Sequence, residues 1–249
     1  MNVNFYAFLL PSIAGLATLI GTILIFFNFK NKNNIICGSL AFAAGVMISI
    51  SFLDLIPESY NLLNDYFYYI PCLLIIGIFF CIGAILSMII DKYLPEEKSR
   101  EGLYRVGLIS MVAIIIHNIP EGIATFMATS SNIKLGISLT LAIAFHNIPE
   151  GISISIPIYY STKSRGKAFF YTLISALSEP FGALLAFLFL KSFINNLILG
   201  CLFAIIAGIM FRISVKELIT ESLKYNNRLY SILFIIIGCV VTLITHLVF

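Results

Sequence analysis

Apolar residues recur in runs of roughly twenty along the whole chain, and each run ends where Lys, Arg, Asp, Asn, Gly or Pro gather. About 20 apolar residues cross the hydrocarbon of one bilayer as a helix. By that length the chain reads as eight spans, near 5–27, 35–58, 70–91, 105–129, 135–160, 167–190, 196–219 and 228–248. Lipid offers no hydrogen bonds to an open backbone, so every span is expected to be helical and the fold class all-α and polytopic. Pro95, Asn132 and Gly166 punctuate the third to fifth connections, and no connection is long enough for a folded extramembrane domain. Residues 1–249 therefore read as one transmembrane domain whose function lies inside the bundle. The first run continues to Phe29, longer than a signal-peptide core, and is expected to be a retained span.

Composition sharpens this picture. The chain is 60% hydrophobic and 11% charged, against roughly 45–50% and 25% in soluble domains. Its net charge of +3 comes from short segments between apolar runs and not from one basic face, which argues against nucleic acid as a partner. Basic residues favour the cytoplasmic side of a membrane. Lys30 and Lys32, then Lys92, Lys98, Arg100 and Arg105, then Lys163, Arg165 and Lys167, then Arg212, Lys216, Lys224 and Arg228 all fall on odd-numbered connections, leaving Lys134 and Lys191 on the other side. Both termini are thus expected outside the cell membrane. The five cysteines are odd in number and never form a CxxC pair, so they read as small packing residues.

Two repeats cut across these spans. His117-Asn118-Ile119-Pro120-Glu121-Gly122 recurs letter for letter as His146-Asn147-Ile148-Pro149-Glu150-Gly151, in spans 4 and 5. Residues 41–59 laid on 204–222 match at ten of nineteen positions, Gly45, Met47, Ser51 and Glu58 against Gly208, Met210, Ser214 and Glu221 among them, with Asp54 opposite Glu217. In each repeat one copy runs outward and the other inward. Inverted repeats around a site at mid-depth are a transporter signature.

The twin phrase carries chemistry. His and Glu four apart share a helix face, with about 6 Å of rise between them. Buried in hydrocarbon, each would cost several kcal/mol without a partner, roughly. His117, Asn118 and Glu121 facing His146, Asn147 and Glu150 offer imidazole, amide and carboxylate donors suited to a borderline divalent cation such as Zn²⁺, with Fe²⁺, Mn²⁺ and Co²⁺ compatible. Pro120 and Pro149 cannot bond the carbonyls four residues back, which predicts a kink beside each set. Ser178-Glu179-Pro180 sets another carboxylate mid-span in span 6, and that many donors raises the prospect of two ions bridged by carboxylates. Glu179 alone is also compatible with a structural or proton-carrying role. Met47 and Met210 read as core residues by default. Asp54 and Glu58, near the outer end of span 2, and Glu217 and Glu221, near the inner end of span 7, are either solvated helix ends or entrance and exit pairs along one cation path. His246 reads most simply as a surface residue.

These residues resemble the ZIP (Zrt/Irt-like) family of divalent metal transporters, the bacterial ZupT-type branch most of all. Eight spans, HNIPEG in span 4, the second His-x-x-x-Glu phrase in span 5 and Ser-Glu-Pro in span 6 carry the resemblance. It implies a binuclear centre built from His117, Asn118, Glu121, His146, Asn147, Glu150 and Glu179, with Met47 as a soft ligand and Asp54 at the outer entrance. Many relatives carry a histidine-rich loop between spans 3 and 4, whereas residues 92–104 hold no His. Metal sensing through that loop is not expected.

Three functions compete at this stage. The first is import of Zn²⁺ and related cations, Cd²⁺ included, by alternating access, with the metal as cargo and no resident cofactor. An intramembrane zinc hydrolase is the alternative, disfavoured because the HExxH pattern sets two His on one helix, while this chain has one per helix. A metal-free proton or anion relay through the same groups is the third. A homodimer is left open.

Overall fold

The computed structural model describes residues 3–93, 102–190, 195–225 and 228–248, all helix and short connection with no strand among them. Eight helices are long and apolar enough to cross a membrane: α1 Phe5–Phe26, α2 Lys32–Asn64, α3 Tyr69–Lys92, α4 Leu103–Ser131, α5 Ile133–Thr162, α6 Arg165–Phe189, α7 Asn196–Ser222 and α8 Arg228–Leu247. Each matches one expected span. Pro95, Lys98, Arg100 and Lys191 lie outside the described residues.

Side chains set the helix ends. The Asn31, Ser164 and Asn195 oxygens accept from the backbone N–H of Asn34, Lys167 and Ile198, satisfying donors that a helix start leaves orphaned. Asn132 is the whole connection between α4 and α5: its N–H closes the end of α4 on Ala128 O and its side chain accepts from Lys134 N–H at 2.9 Å. That one-residue turn fixes where the twin phrases meet. His117 lies 15 residues before it and His146 14 after it, so both sit about 22 Å down their helices from the turn. Glu121 is about 6 Å nearer the turn and Glu150 about 6 Å farther from it.

Glycines divide the bundle into two groups of helices. Gly45 and Gly238 bring the backbones of α2 and α8 together, against Ile235 O and Phe42 O, while Gly83 and Gly208 do the same for α3 and α7, against Ile205 O and Phe80 O. Gly122 and Gly182 join α4 to α6 as Gly21 and Gly151 join α1 to α5. A Cβ at any of these positions would collide with a carbonyl. The pairings are symmetric: α2–α8 maps onto α7–α3 and α1–α5 onto α6–α4, which is the inverted repeat expressed in packing. The helices bearing the phrases thus form one closely packed group with α1 and α6, and α2, α3, α7 and α8 form the other.

Four spans depart from regular α-helix. Ser51–Leu55 in α2 and Ser214–Ile219 in α7 are π-turns at matching positions of the repeat, and the Ser51 and Ser214 hydroxyls donate to Met47 O and Met210 O at 2.8 and 2.7 Å. α1 tightens to a 3₁₀ helix over Thr18–Phe26. α6 breaks at Leu177 and ends on a third π-turn from Ala186; Pro180 cannot donate to Ala176 O, and Gly15 of α1 lies against that carbonyl. By contrast Pro120 and Pro149 lie inside α-helices assigned without interruption. The outer faces of α3 and α8 expose Leu74, Ile78, Ile85, Ile236 and Ile244. On a water-soluble protein such a surface would promote aggregation; on a multi-pass membrane protein it faces lipid.

Candidate metal centre

Three helices aim acid, imidazole and amide groups at one level of the bundle. His117 is 1% exposed, Glu121 5% and Glu150 and Glu179 0%, so the centre is sealed from the surface except at His146, which is partly exposed. Glu121 Oε1 is the hub, 3.1 Å from His117 Nε2 and 3.0 Å from His146 Nε2. His117 Nε2 also stands 3.5 Å from Glu150 Oε1. The two imidazoles are tilted by 45° with centroids 6.2 Å apart. Glu121, the two rings and Glu150 therefore form a short column, in the order that the offsets from Asn132 require.

A second set of contacts ties this column to α1 and α6. The Asn147 amide donates to Ala14 O at 2.8 Å and to the Glu179 carboxylate, fastening α5 to both neighbours. Asn118, its twin, has no hydrogen-bond partner on either side-chain atom. The repeat explains the difference. Gly21 and Gly182 are equivalent, so Thr18 of α1 occupies the place of Glu179 and Ser175 that of Ala14. Thr18 Oγ1 and Ser175 Oγ are also buried without a partner.

Unpartnered polar atoms concentrate here: His117 Nδ1, both Asn118 atoms, Glu121 Oε2, Asn147 Oδ1, both Glu150 oxygens and Glu179 Oε2 have no hydrogen-bond partner. Native interiors satisfy nearly all buried polar groups, and a cation could engage the donors and acceptors left free here. His117, Glu121 and His146 each offer one donor atom within 4.8 Å of the others. Imidazole nitrogen and carboxylate oxygen in that grouping suit a first-row divalent cation.

The remaining candidates lie elsewhere. Met47 is wholly buried in the main apolar cluster alongside Met210 and Ile50. Asp54 Oδ1 meets His246 Nδ1 at 2.7 Å near the outer ends of α2 and α8. Glu58 is exposed. At the opposite end Glu217 Oε1 is 3.9 Å from Arg212 Nη1, and the buried Glu221 is 2.5 Å from Lys224 Nζ. Reading His246 as a bare surface residue missed its bond to Asp54. Arg105 and Arg212, taken from the sequence only as topology markers, form a linked set with Asp91 and Glu217.

The fold and the centre together define a polytopic helical bundle with acid, imidazole and amide groups gathered in its core. The family model described as ZIP zinc transporter matches residues 96–246, and the chain belongs to that family, one of transporters and not of enzymes. It is 38% identical to the zinc transporter ZupT of Clostridium perfringens, covering 100% of this chain and 98% of the relative. It is 40% identical to the protein of the same name from Chlorobaculum parvum, over 98% and 97%, and 36% to that of Streptococcus mutans, over 98% of each.

Proposed function

We propose that the chain imports divalent metal cations, Zn²⁺ first among them, into the cytoplasm by alternating access around the centre between α4 and α5. Fe²⁺, Mn²⁺, Co²⁺ and Cd²⁺ share the donor preference that would admit them. The observation that carries the reading is the column of buried acid and imidazole groups whose free atoms face a common point. The relatives, named zinc transporters, support the same cargo.

In this reading His117, Glu121 and His146 hold one ion, with Glu150 completing its shell. Asn118, Asn147 and Glu179, sharing the Glu121 and Glu150 carboxylates, hold a second, and Met47 adds a thioether from α2. Shared carboxylates let two cations sit close, the three acids Glu121, Glu150 and Glu179 offsetting most of their charge. Asp54 and Glu58 collect cations at the outer mouth, and Glu217 and Glu221 receive them at the inner one. With thirteen of the fifteen basic residues on the side of the α1–α2 connection, transport runs from the termini's side to the cytoplasm.

The test is radiolabelled zinc uptake into proteoliposomes. Glu121→Ala and His146→Ala are expected to abolish it while the purified variants keep the parent's helical content and elution volume. Undiminished uptake by both would refute the assignment.

A further inference from the structure

Among the described residues, the largest set of interlocked charges outside the candidate metal centre lies at the end of the bundle where α3 finishes and α4 begins. Arg105, in the first turn of α4, donates from Nη2 to both Asp91 Oδ1 and Asp91 O at 2.7 Å. Arg212 of α7 donates to Asp91 Oδ2 at 3.0 Å and to Ser87 Oγ and O at 3.2 and 3.3 Å. Its other face stands 3.9 Å from Glu217. One carboxylate thus grips two guanidinium groups from different helices.

The two grips differ in what they join. Asp91–Arg212 lies within the α3–α7 pair, whose backbones already meet at Gly83 and Gly208. Asp91–Arg105 crosses to α4, which carries the first ligand phrase and belongs to the other group. No glycine closes backbone on backbone between the two groups, so this tie is made by side chains and can part without unpacking either group.

The outer end of the bundle gives a comparison inside the same molecule. Gly83 and Gly238 are symmetry mates 155 residues apart, and the same spacing pairs Asp91 with His246. Asp54 and Glu217 are mates in the other repeat. At the outer end the mates close directly on each other, His246 to Asp54 within the α2–α8 pair. Among the described residues, no ion pair there crosses to the phrase-bearing helices. At the inner end two carboxylates, Asp91 and Glu217, flank Arg212, and a second arginine, Arg105, reaches across from α4 to Asp91.

We propose that Asp91, Arg105 and Arg212 form a charge clasp that holds the cytoplasmic end of α4 against α3 and α7, closing the release route, and that the clasp must part before an ion can leave. Its role in release rests on the transport reading; its closure does not. While shut, it also keeps the Arg212 guanidinium 3.9 Å from the exit carboxylate of Glu217. Parting at Asp91 would free attraction for a departing cation at the moment the route opens.

Ser110 reports on that route. It is wholly buried in α4, two turns toward the cytoplasm from His117, and its hydroxyl has no partner. In everted vesicles, a Ser110→Cys background is treated with a membrane-impermeant maleimide, and modification at position 110 is followed by peptide mass spectrometry, which separates it from the native cysteines. Asp91→Asn and Arg105→Gln should each speed modification by at least about fivefold, the lower end of typical energetic links between sites. Asp91→Glu, which keeps the carboxylate, should stay within about twofold of the parent, below that range. The clasp is overturned if Arg105→Gln or Asp91→Asn leaves the rate within that margin, or if Asp91→Glu opens the route as far as Asp91→Asn. Modification needs no metal flux, so a failure of the zinc-uptake test above would leave this result standing, and the reverse.

Discussion

The twin phrases are identical in sequence and unequal in their bonds, so truncating the same residue in each should have opposite consequences. Asn147→Ala removes the donor that satisfies Ala14 O and the Glu179 carboxylate. Hydrogen bonds between membrane helices are worth about 0.6 kcal/mol on average and up to about 1.7, and a buried acceptor left bare adds a penalty of about 1–3 kcal/mol. Two lost bonds, one to a carboxylate, therefore put the cost at about 2–4 kcal/mol without metal. Asn118→Ala deletes two atoms that have no partner at all. The small cavity this leaves is offset by the removal of desolvated polar atoms, so its apo stability should lie within about 1 kcal/mol of the parent. The gap between the variants, about 2 kcal/mol, is about 30-fold in the unfolding constant. Reversible unfolding in mixed micelles, with chelator present, measures it. The reasoning fails if the two apo variants unfold together. Zinc adds a second reading. A ligand at 100 times its dissociation constant stabilises by about 2.7 kcal/mol, and both variants should lose part of that increment, because both amides belong to the donor set proposed for the second ion. An Asn118→Ala protein stabilised by zinc as fully as the parent would remove Asn118 from the site.

Two further outcomes follow from packing and charge. Gly208→Ala places a methyl against Phe80 O in α3; overpacking of this kind costs about 1–3 kcal/mol, read as a lower thermal midpoint in detergent, and an unchanged midpoint would show that α3 and α7 slide apart freely. Asp54→Asn leaves the outer mouth without its half-exposed carboxylate, which should raise the KM for zinc several-fold with kcat kept, an effect that shrinks as salt rises; a fall in kcat at constant KM would place Asp54 in the conformational step instead.

Much of the architecture was readable beforehand because bilayer thickness imposes one length on every apolar run. The boundaries were less so. The second span was expected to close near 58, but α2 continues to Asn64, since its last two turns are amphipathic and bury Ser59 and Leu63 against α7. The donor set of the centre was visible in the repeated phrase, and its column geometry follows from a one-residue turn that sequence marks only as Asn132. What could not be read was which atoms the fold would leave unpaired. Nothing in two identical hexapeptides distinguishes Asn118 from Asn147; Thr18 and Glu179, far away in the chain, do that. Nor does hydropathy separate Asp91 or Arg212 from ordinary boundary charges, because their meaning lies in partners on other helices.

The matching π-turns of α2 and α7 bear on how this chain tolerates insertion and deletion. A residue added to one turn rotates everything beyond it by about 100°, so the bulges at Ser51 and Ser214 decide which way Asp54 and Glu217 point. Shortening either turn by one residue would leave a longer stretch of perfect α-helix and carry its acidic mouth residue around to a different neighbour. The same offset in both halves is what one ancestral bulge, copied once and inverted, would leave behind.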